Sequence, residues 1–314
     1  MRLSACLTGI LLGAAFVAAQ APRASAADDP NWQACIGNAT APADRVTACK
    51  AVIDGKTETG RRLAAAYCAR GYGLTETREI DAALADLNEA IRLNPASACA
   101  YTNRGRISAS RKDFDHAIAD YDEAVRVDPT FALAYNNRGD AWLSKGDLDR
   151  ALADFSLVIE HNPKLSSAYG NRGFTYFRKR DVTHAIADYT TQIQLRPDVL
   201  AYINRGNAYR DIKDLDRAAA DYGEAAKIAP TDPRGWRNRG LIRLYLDDAK
   251  GGVADYDKAL QYDPSDAYSW SNRGLAKMQL GDKQGAAADF RKALELHPDL
   301  QTAQEALERL GASR

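Results

Sequence analysis

Residues 132–165 read ALAYNNRGDAWLSKGDLDRALADFSLVIEHNPKL, and this stretch decides the fold because its pattern recurs along the chain. An Arg-Gly pair marks every copy: Arg70-Gly71, Arg104-Gly105, Arg138-Gly139, Arg172-Gly173, Arg205-Gly206, Arg239-Gly240 and Arg273-Gly274. Successive pairs are 34 residues apart, except for one 33-residue step after Arg172. Repeats of this length are typical of stacked helical hairpins, which usually hold a partner rather than react with it.

Small, aromatic and proline residues keep the same spacing inside each copy. With the recurrent glycine as position 8, the units are 64–97, 98–131, 132–165, 166–198, 199–232, 233–266 and 267–300. Unit 199–232 shows the whole pattern at positions 4, 8, 20, 24, 27 and 32: Tyr202, Gly206, Ala218, Tyr222, Ala225 and Pro230. This pattern resembles the tetratricopeptide repeat, in an exported bacterial form with Asn-Arg-Gly repeats.

The resemblance implies an all-α fold, a right-handed superhelix (solenoid) of seven helix-turn-helix repeats. Its first helices would line a concave groove. Glycine at position 8 and alanine at position 20 are small because two helices cross there at close range. An acidic residue precedes every second helix as its expected N-cap: Glu79, Asp113, Asp147, Asp181, Asp214, Asp248 and Asp282. Gly251 and Gly252 cost about 1–2 kcal/mol relative to alanine, so unit 233–266 should be the softest.

Both ends of the chain depart from the repeat pattern. Arg2, the apolar run from Leu3 to Ala19 and Ala24-Ser25-Ala26 predict a signal peptide over residues 1–26. The mature chain is therefore expected to be exported, to the periplasm or outside the cell, with no integral membrane segment after cleavage. Residues 27–63 are expected to form an N-terminal cap, a degenerate helical hairpin. Residues 301–314 should form a C-terminal capping helix and tail.

Four cysteines remain after the predicted cleavage, and an exported protein favours their oxidation. Cys35 and Cys49 flank a break at 38–42, so a disulfide between them would staple the cap hairpin. Cys68 and Cys99 fall on successive repeats and form a second candidate pair. Free buried thiols are the alternative. A zinc site is not expected because the cysteines form no CxxC motif and have no nearby histidine.

Charged and amide residues recur at fixed positions as well. Arginine at position 7 and aspartate at position 23 occur together in all seven units, as in Arg172 and Asp188. Since they lie on the two helices of one hairpin, the simplest interpretation is a salt-bridge ladder. The alternative is an arginine row that binds phosphate or carboxylate. Asparagine at position 6 would either hold a ligand's backbone, as the resemblance implies, or bond neighbouring first helices.

Groove identity should come from positions 2, 5, 9, 12 and 13 of the first helices. These are mostly small or polar in the first three units, as in Thr102 and Asp140, and more apolar from the fourth onward, as in Leu200, Ile203 and Leu244. The predicted partner-binding groove consists of Phe174, Phe177, Asn204, Asn207, Arg210, Arg234, Arg237, Asn238, Leu241, Tyr245 and Tyr268. The competing interpretation is that some of these side chains pack between helices.

Composition and motifs narrow the function further. The chain has 42 basic and 42 acidic residues and no basic stripe, so nucleic acid is not an expected partner. It contains none of the common catalytic motifs, and its four histidines form no cluster, so no enzyme activity, metal or cofactor is expected. The sequence therefore predicts a scaffold that holds a peptide or protein segment in its groove. The alternative is a structural self-association module, and the oligomeric state is left open.

Overall fold

The computed structural model describes residues 29–37 and 39–311. Within these ranges the chain forms helices, turns and loops, with no strand. The predicted signal peptide lies outside them, as do the last three residues of the predicted tail. Among the described helices, none combines the length and the apolar character needed to span a bilayer. The predicted all-α fold is confirmed.

Seventeen helices occur in the described residues, and they fall into two compact units that divide after Ser97. The first unit contains α1 (Pro30–Ile36), α2 (Pro42–Asp54), α3 (Gly60–Glu76) and α4 (Ile80–Leu93). The second unit contains α5 (Ala98–Ser110), α6 (Phe114–Val127), α7 (Ala132–Lys145), α8 (Leu148–His161), α9 (Ser166–Arg178), α10 (Val182–Leu195), α11 (Val199–Asp211), α12 (Leu215–Ile228), α13 (Pro233–Tyr245), α14 (Ala249–Tyr262), α15 (Ala267–Gln279), α16 (Lys283–Leu296) and α17 (Gln301–Arg309).

The first unit joins the cap to the first repeat. Helices α1 and α2 form a short hairpin, and a disulfide links Cys35 to Cys49 across it. Helix α2 packs against α3 much as the second helix of a repeat packs against the next first helix. Helix α3 begins at Gly60, four residues before the expected unit boundary at 64. The first repeat therefore belongs structurally with its cap. The pairing of Cys68 with Cys99 joins residues of different units and stays a prediction.

Close helix crossings explain the recurrent glycine. In each hairpin of the second unit, a Cβ added to that glycine would lie 2.7–3.2 Å from the ring at position 24. At Gly105 the nearest atom would be Cε1 of Tyr121, at 2.7 Å. Distances below 3.0 Å, as at Gly105, exclude a side chain unless the ring moves, and those of 3.0–3.2 Å at Gly173 and Gly240 require a shift of a few tenths of an ångström.

The start of each second helix follows the predicted capping. All six aspartates accept a hydrogen bond from the backbone N–H three residues on, as Asp113 does from His116. Glu79 makes no such side-chain bond, because its longer side chain suits this geometry less well. The residue directly before each of these N-caps has a positive φ, for example 62° at Lys112 and 86° at Gly146. This left-handed residue turns the chain back on itself.

Helix α17 closes the second unit. Ala303, Ala306 and Leu307 are buried and pack with Phe290 and Ala293 of the preceding hairpin. The opposite face of α17 carries Gln301, Glu305 and Glu308, which are exposed. The last repeat thus ends in a polar surface, as the predicted capping helix requires.

Candidate peptide-binding face

The first helices form the inner face of the second unit. Helices α5, α7, α9, α11 and α13 each contact the next first helix along the stack, and α15 contacts the capping helix α17. The second helices α6 to α16 contact only first helices within the described residues. Successive first helices are therefore closer to one another than successive second helices are. A stack of helices curves toward the side on which its helices are closer together. The first helices therefore line the concave side, as the resemblance implied.

The position-7 arginines do not form a row open to a ligand. Each binds the aspartate of its own hairpin through two hydrogen bonds, with shortest nitrogen–oxygen distances of 2.6–2.8 Å. In Arg172, Nε and Nη2 donate to the two oxygens of Asp188 at 2.8 Å each. These hydrogen bonds to Asp188 raise the pKa of Arg172, so its guanidinium stays charged. The salt-bridge interpretation is thus supported at every repeat.

The same arginines also connect neighbouring hairpins. The third nitrogen, Nη1, reaches position 25 of the preceding second helix. Arg138 donates to Asp122 at 2.6 Å, Arg172 to Ser156 at 3.2 Å and Arg205 to Thr190 at 3.1 Å. Arg273 repeats this contact with Asp257 at 2.5 Å. One side chain therefore fixes two helices within a repeat and the junction with the repeat before it.

A cleft opens on the inner face between α9 and α11. It has a volume of about 620 Å³. Helix α9 contributes Ser167, Gly170, Asn171 and Phe174, α10 contributes Gln192 and Arg196, and α11 with its cap contributes Asp198, Val199, Leu200 and Asn204. Phe174 is 39% exposed and Leu200 52% exposed, so both offer apolar surface. Two repeat asparagines lie beside this surface.

Gln192 forms the buried polar part of this cleft. It occupies position 27, where the other repeats carry alanine or, once, valine. Only 9% of its surface is exposed. Its Nε2 donates to Asp198 Oδ2 at 3.2 Å, whereas its Oε1 has no hydrogen-bond partner. A position-by-position comparison of the repeats would have singled out Gln192, because no other repeat carries a polar residue at position 27.

Gly170 makes room for that side chain. A Cβ at Gly170 would lie 2.7 Å from Gln192 Oε1 and 2.9 Å from Cδ. Position 5 carries a side chain in every other repeat, from Cys68 to Ser271. In the fourth repeat, the side chain of Gln192 on the second helix therefore occupies the space that a side chain at position 5 of the first helix would fill.

Family comparisons agree with this geometry. Models described as tetratricopeptide repeat or TPR repeat match residues 64–97, 105–144, 166–199, 199–232 and 252–311. The chain is built of tetratricopeptide repeats. None of the curated proteins matches the sequence.

Solved structures share the tetratricopeptide-repeat fold. YrrB, described as a TPR protein with an unusual peptide-binding site, is 18% identical with a TM-score of 0.53, over 60% of this chain and 97% of that one. A tetratricopeptide repeat protein from Parabacteroides merdae is 20% identical with a TM-score of 0.56, over 79% and 98%. Pseudomonas aeruginosa pilF is 16% identical with a TM-score of 0.58, over 68% and 97%. At these identities the likeness shows the fold alone.

The tetratricopeptide repeats bring only part of the predicted groove together. Phe174 and Asn204 line the α9–α11 cleft. Tyr245 is 63% exposed on α13 and Tyr268 57% exposed on α15, outside the lining of that cleft. Leu241 and Asn238 are half-buried on α13. The α9–α11 cleft thus contains only two of the predicted groove residues, Phe174 and Asn204.

Other predicted groove residues have partners within the chain. Phe177 packs against the core around Tyr189. Asn207 Oδ1 accepts a hydrogen bond from the Tyr222 hydroxyl at 2.7 Å. Arg234 pairs with Asp232 at 2.6 Å and Arg237 with Asp266 at 3.2 Å. Arg210 is half-buried on α11.

Two apolar residues expected on the groove are in the core instead. Ile203 is 7% exposed and packs with Tyr222 and Ala218, while Leu244 is 9% exposed and packs with Tyr256. A first helix contacts the second helix of its own repeat and helices of both neighbouring repeats. More of its positions are therefore buried than the sequence pattern predicted, including positions 5 and 12, which were expected on the groove. Leu133 is 49% exposed in the third repeat, which was expected to be mostly polar.

The repeat asparagines favour the inter-helix interpretation at one place. Asn171 Nδ2 donates to Asn136 Oδ1 on the preceding first helix, at 3.1 Å. This contact leaves the oxygen of the Asn171 amide for other bonds. Asn204 lines the cleft, so the two interpretations are compatible.

A second, more polar cleft lies between α5, α6 and α7. It has a volume of about 410 Å³, and its lining includes Arg106, Tyr121, Asn137 and Asp140. Loss of bulk water among these helices raises the pKa of Asp140 to about 6, against the hydrogen bond that Asn136 donates. Asp140 nevertheless keeps accessible surface, which moderates the effect. Within the described residues no group of histidine, cysteine and acidic side chains has a metal-binding arrangement.

Proposed function

We propose that this chain is a scaffold that holds an extended peptide or protein segment on the concave face of repeats four to seven. The observation that carries the proposal is the α9–α11 cleft. There, accessible Phe174 and Leu200 stand beside the amides of Asn171 and Asn204. Apolar anchors give a bound segment its affinity, and amides bond its backbone.

The charges of this face support the same proposal. The position-7 arginines are neutralised by aspartates, so a row that recognises phosphate is not favoured. Arg196 lines the cleft and is exposed, so it favours acidic residues in the ligand, and the half-buried Arg210 on α11 adds to the positive charge of this unit. YrrB, whose fold is similar, is described as having an unusual peptide-binding site, which makes this use of the fold reasonable.

We infer further that the protein acts after export, in the periplasm or outside the cell. The N-terminal sequence has the order of a signal peptide: a basic residue, an apolar run and a small-residue cleavage motif. The disulfide between Cys35 and Cys49 suits an oxidising compartment. Together these features support the exported type of Asn-Arg-Gly repeat protein.

Photo-crosslinking in the native envelope tests the proposal. A photoreactive phenylalanine at Leu200 should capture a partner protein. The matched control carries the same group at Ala187, which is exposed on α10, away from the inner face. A product at Leu200 and not at Ala187 supports the proposal. Labelling equal at both sites, or at neither, contradicts it.

Self-association is the alternative function. It would give crosslinks from Leu200 to a second copy of this chain and a mass above that of the monomer in light scattering. A monomer that captures a different protein would exclude it.

A further inference from the structure

We propose that the polar cleft between α5, α6 and α7 is a subsite for a basic residue. Asp140 binds the ammonium or guanidinium group of a lysine or arginine in the same extended peptide whose apolar side chain rests on Phe174. This inference rests on the proposed function and extends the ligand from the fourth repeat onto the third.

Asp140 is an accessible carboxylate whose contacts in the described residues are neutral. Its side chain is exposed and lines the polar cleft. Asn136 Nδ2 lies 3.3 Å from its Oδ2, and Asn171 Nδ2 lies 3.5 Å from its Oδ1. These two amides orient the carboxylate without cancelling its charge. A cationic group of a ligand would cancel it.

The charge of Asp140 stands apart from the other charges on its face. In the six first helices from α5 to α15, the acidic residues are Asp140 and Asp211. Asp211 is paired with Arg180 at 3.3 Å, whereas Asp140 has no such partner among the described residues. Loss of bulk water raises the pKa of Asp140, so its ionised form opposes folding. Stability therefore does not account for an aspartate at this position.

The cleft has space and a further acceptor for a cationic group. Its volume is about 410 Å³. Ser144, one turn beyond Asp140 on α7, is exposed and lines the same cleft. An ammonium group donates three hydrogen bonds, which the carboxylate oxygens and the Ser144 hydroxyl can accept. Arg106 lines the side formed by α5, so repulsion between like charges places the ligand cation on the α7 side.

The stacking of the repeats sets the spacing of the ligand residues. Asp140 and Phe174 both occupy position 9, on the successive first helices α7 and α9, which contact each other. Packed helix axes are about 8–10 Å apart, and an extended peptide advances about 3.3 Å per residue. The basic residue should therefore lie about three residues from the apolar one. Asn171 joins the two subsites, because it lines the α9–α11 cleft and contacts Asp140.

A random dodecapeptide library displayed on phage provides the probe. The full chain, produced under oxidising conditions, is panned against the library, and recovered peptides are synthesised for fluorescence anisotropy. Asp140→Asn keeps the shape of the side chain and removes its charge. Asp216→Asn removes the same charge from an exposed position on α12 and serves as the control. Circular dichroism verifies that the variants are folded.

Recovered peptides should carry a lysine or arginine about three residues from an apolar residue. Asp140→Asn should weaken their binding about tenfold, and Asp216→Asn should leave it unchanged. Charge exchange gives the sharper readout. Asp140→Arg, at the position where the second repeat carries Arg106, should also lose the peptide. Replacement of the peptide's basic residue by glutamate should then restore binding to Asp140→Arg and weaken binding to the natural chain.

The outcomes separate this inference from the proposed function. Peptides that lose affinity with Phe174→Ala yet bind Asp140→Asn as tightly as the natural chain would leave the scaffold function in place and overturn the role of Asp140. A charge exchange that restores no binding would overturn that role too. A failure to recover any peptide that requires Phe174 or Asp140 would contradict both.

Discussion

At the scale of single residues, the arginine at position 7 is a structural side chain rather than a recognition group. Arg172 holds Asp188 within the hairpin and Ser156 in the preceding repeat. Asp188 is buried. Arg172→Leu should therefore destabilise the chain by roughly 3–5 kcal/mol, because it leaves a buried carboxylate without its partner. Urea unfolding followed by circular dichroism measures the change.

The double variant Arg172→Leu with Asp188→Leu should recover part of this loss, since neither charge is then buried unpaired. The exposed pair Arg126 and Glu123, 2.7 Å apart, is the control, and its coupling should be below about 1 kcal/mol. Equal coupling in the two pairs would show that burial does not strengthen the ladder.

Asp140 gives the second residue-scale prediction, which concerns pH. Its pKa of about 6 in the fold lies above the ordinary value, so the ionised form opposes folding. The contribution of Asp140 to the free energy of unfolding should therefore fall as the pH rises from 4 to above 6. Asp140→Asn should therefore be more stable than the natural chain at pH 8, and the gain should shrink toward pH 4.5. Water reaches part of this side chain, so we expect a modest effect.

Urea midpoints at pH 8, 6 and 4.5 would measure this dependence. Asp299→Asn, at an exposed position, is the control substitution with which the change at Asp140 is compared. A gain for Asp140→Asn that is independent of pH would contradict the assignment.

At the scale of helices, the sixth repeat offers a gain in stability. Gly252 occupies position 20 in α14, where every other repeat has alanine. A Cβ there would lie 3.3 Å from Leu244 Cδ2 and needs only a small shift of that side chain. The third repeat already combines Leu143 with Ala151 at the same two positions. Gly252→Ala should stabilise the chain by about 1 kcal/mol.

Gly235→Ala is the matched control in the preceding helix. Its Cβ would lie 2.7 Å from the backbone nitrogen of Ala226, which cannot move aside as a side chain does. This variant should therefore lower the melting temperature, whereas Gly252→Ala should raise it. If Gly252→Ala also lowers the melting temperature, Gly252 does not destabilise the sixth repeat.

Helix-level features were predictable because each depends on contacts between fixed positions of one hairpin. Close crossing requires Gly105, the helix start requires Asp113, and the buried Asp188 requires the half-buried Arg172. The groove was less predictable, because exposure depends on neighbouring repeats. Ile203 and Leu244 are thus buried, whereas Phe174 is accessible, although all three lie on first helices.

At the scale of the whole array, affinity should reside in the fourth to seventh repeats. Phe174→Ala with Tyr245→Ala should weaken partner binding by roughly 1 kcal/mol or more, with helicity unchanged, because both side chains are exposed apolar anchors. Isothermal titration with a crosslinked and identified partner measures this. Leu133→Ala removes an equally accessible apolar side chain from the third repeat and should have no effect. The reverse pattern would place the site in the N-terminal repeats.

The arginine links between repeats also bear on how the array unfolds. Position 25 is a glycine in the fifth repeat, and a Cβ on Gly223 would lie 3.2 Å from Arg239 Nη1. Arg239 therefore meets no side-chain acceptor there, unlike Arg205 at Thr190 or Arg273 at Asp257. In a linear array, cooperativity between neighbours depends on such junctions. Repeats six and seven with α17 should thus open as one foldon, with amide hydrogens that exchange before those of repeats three to five.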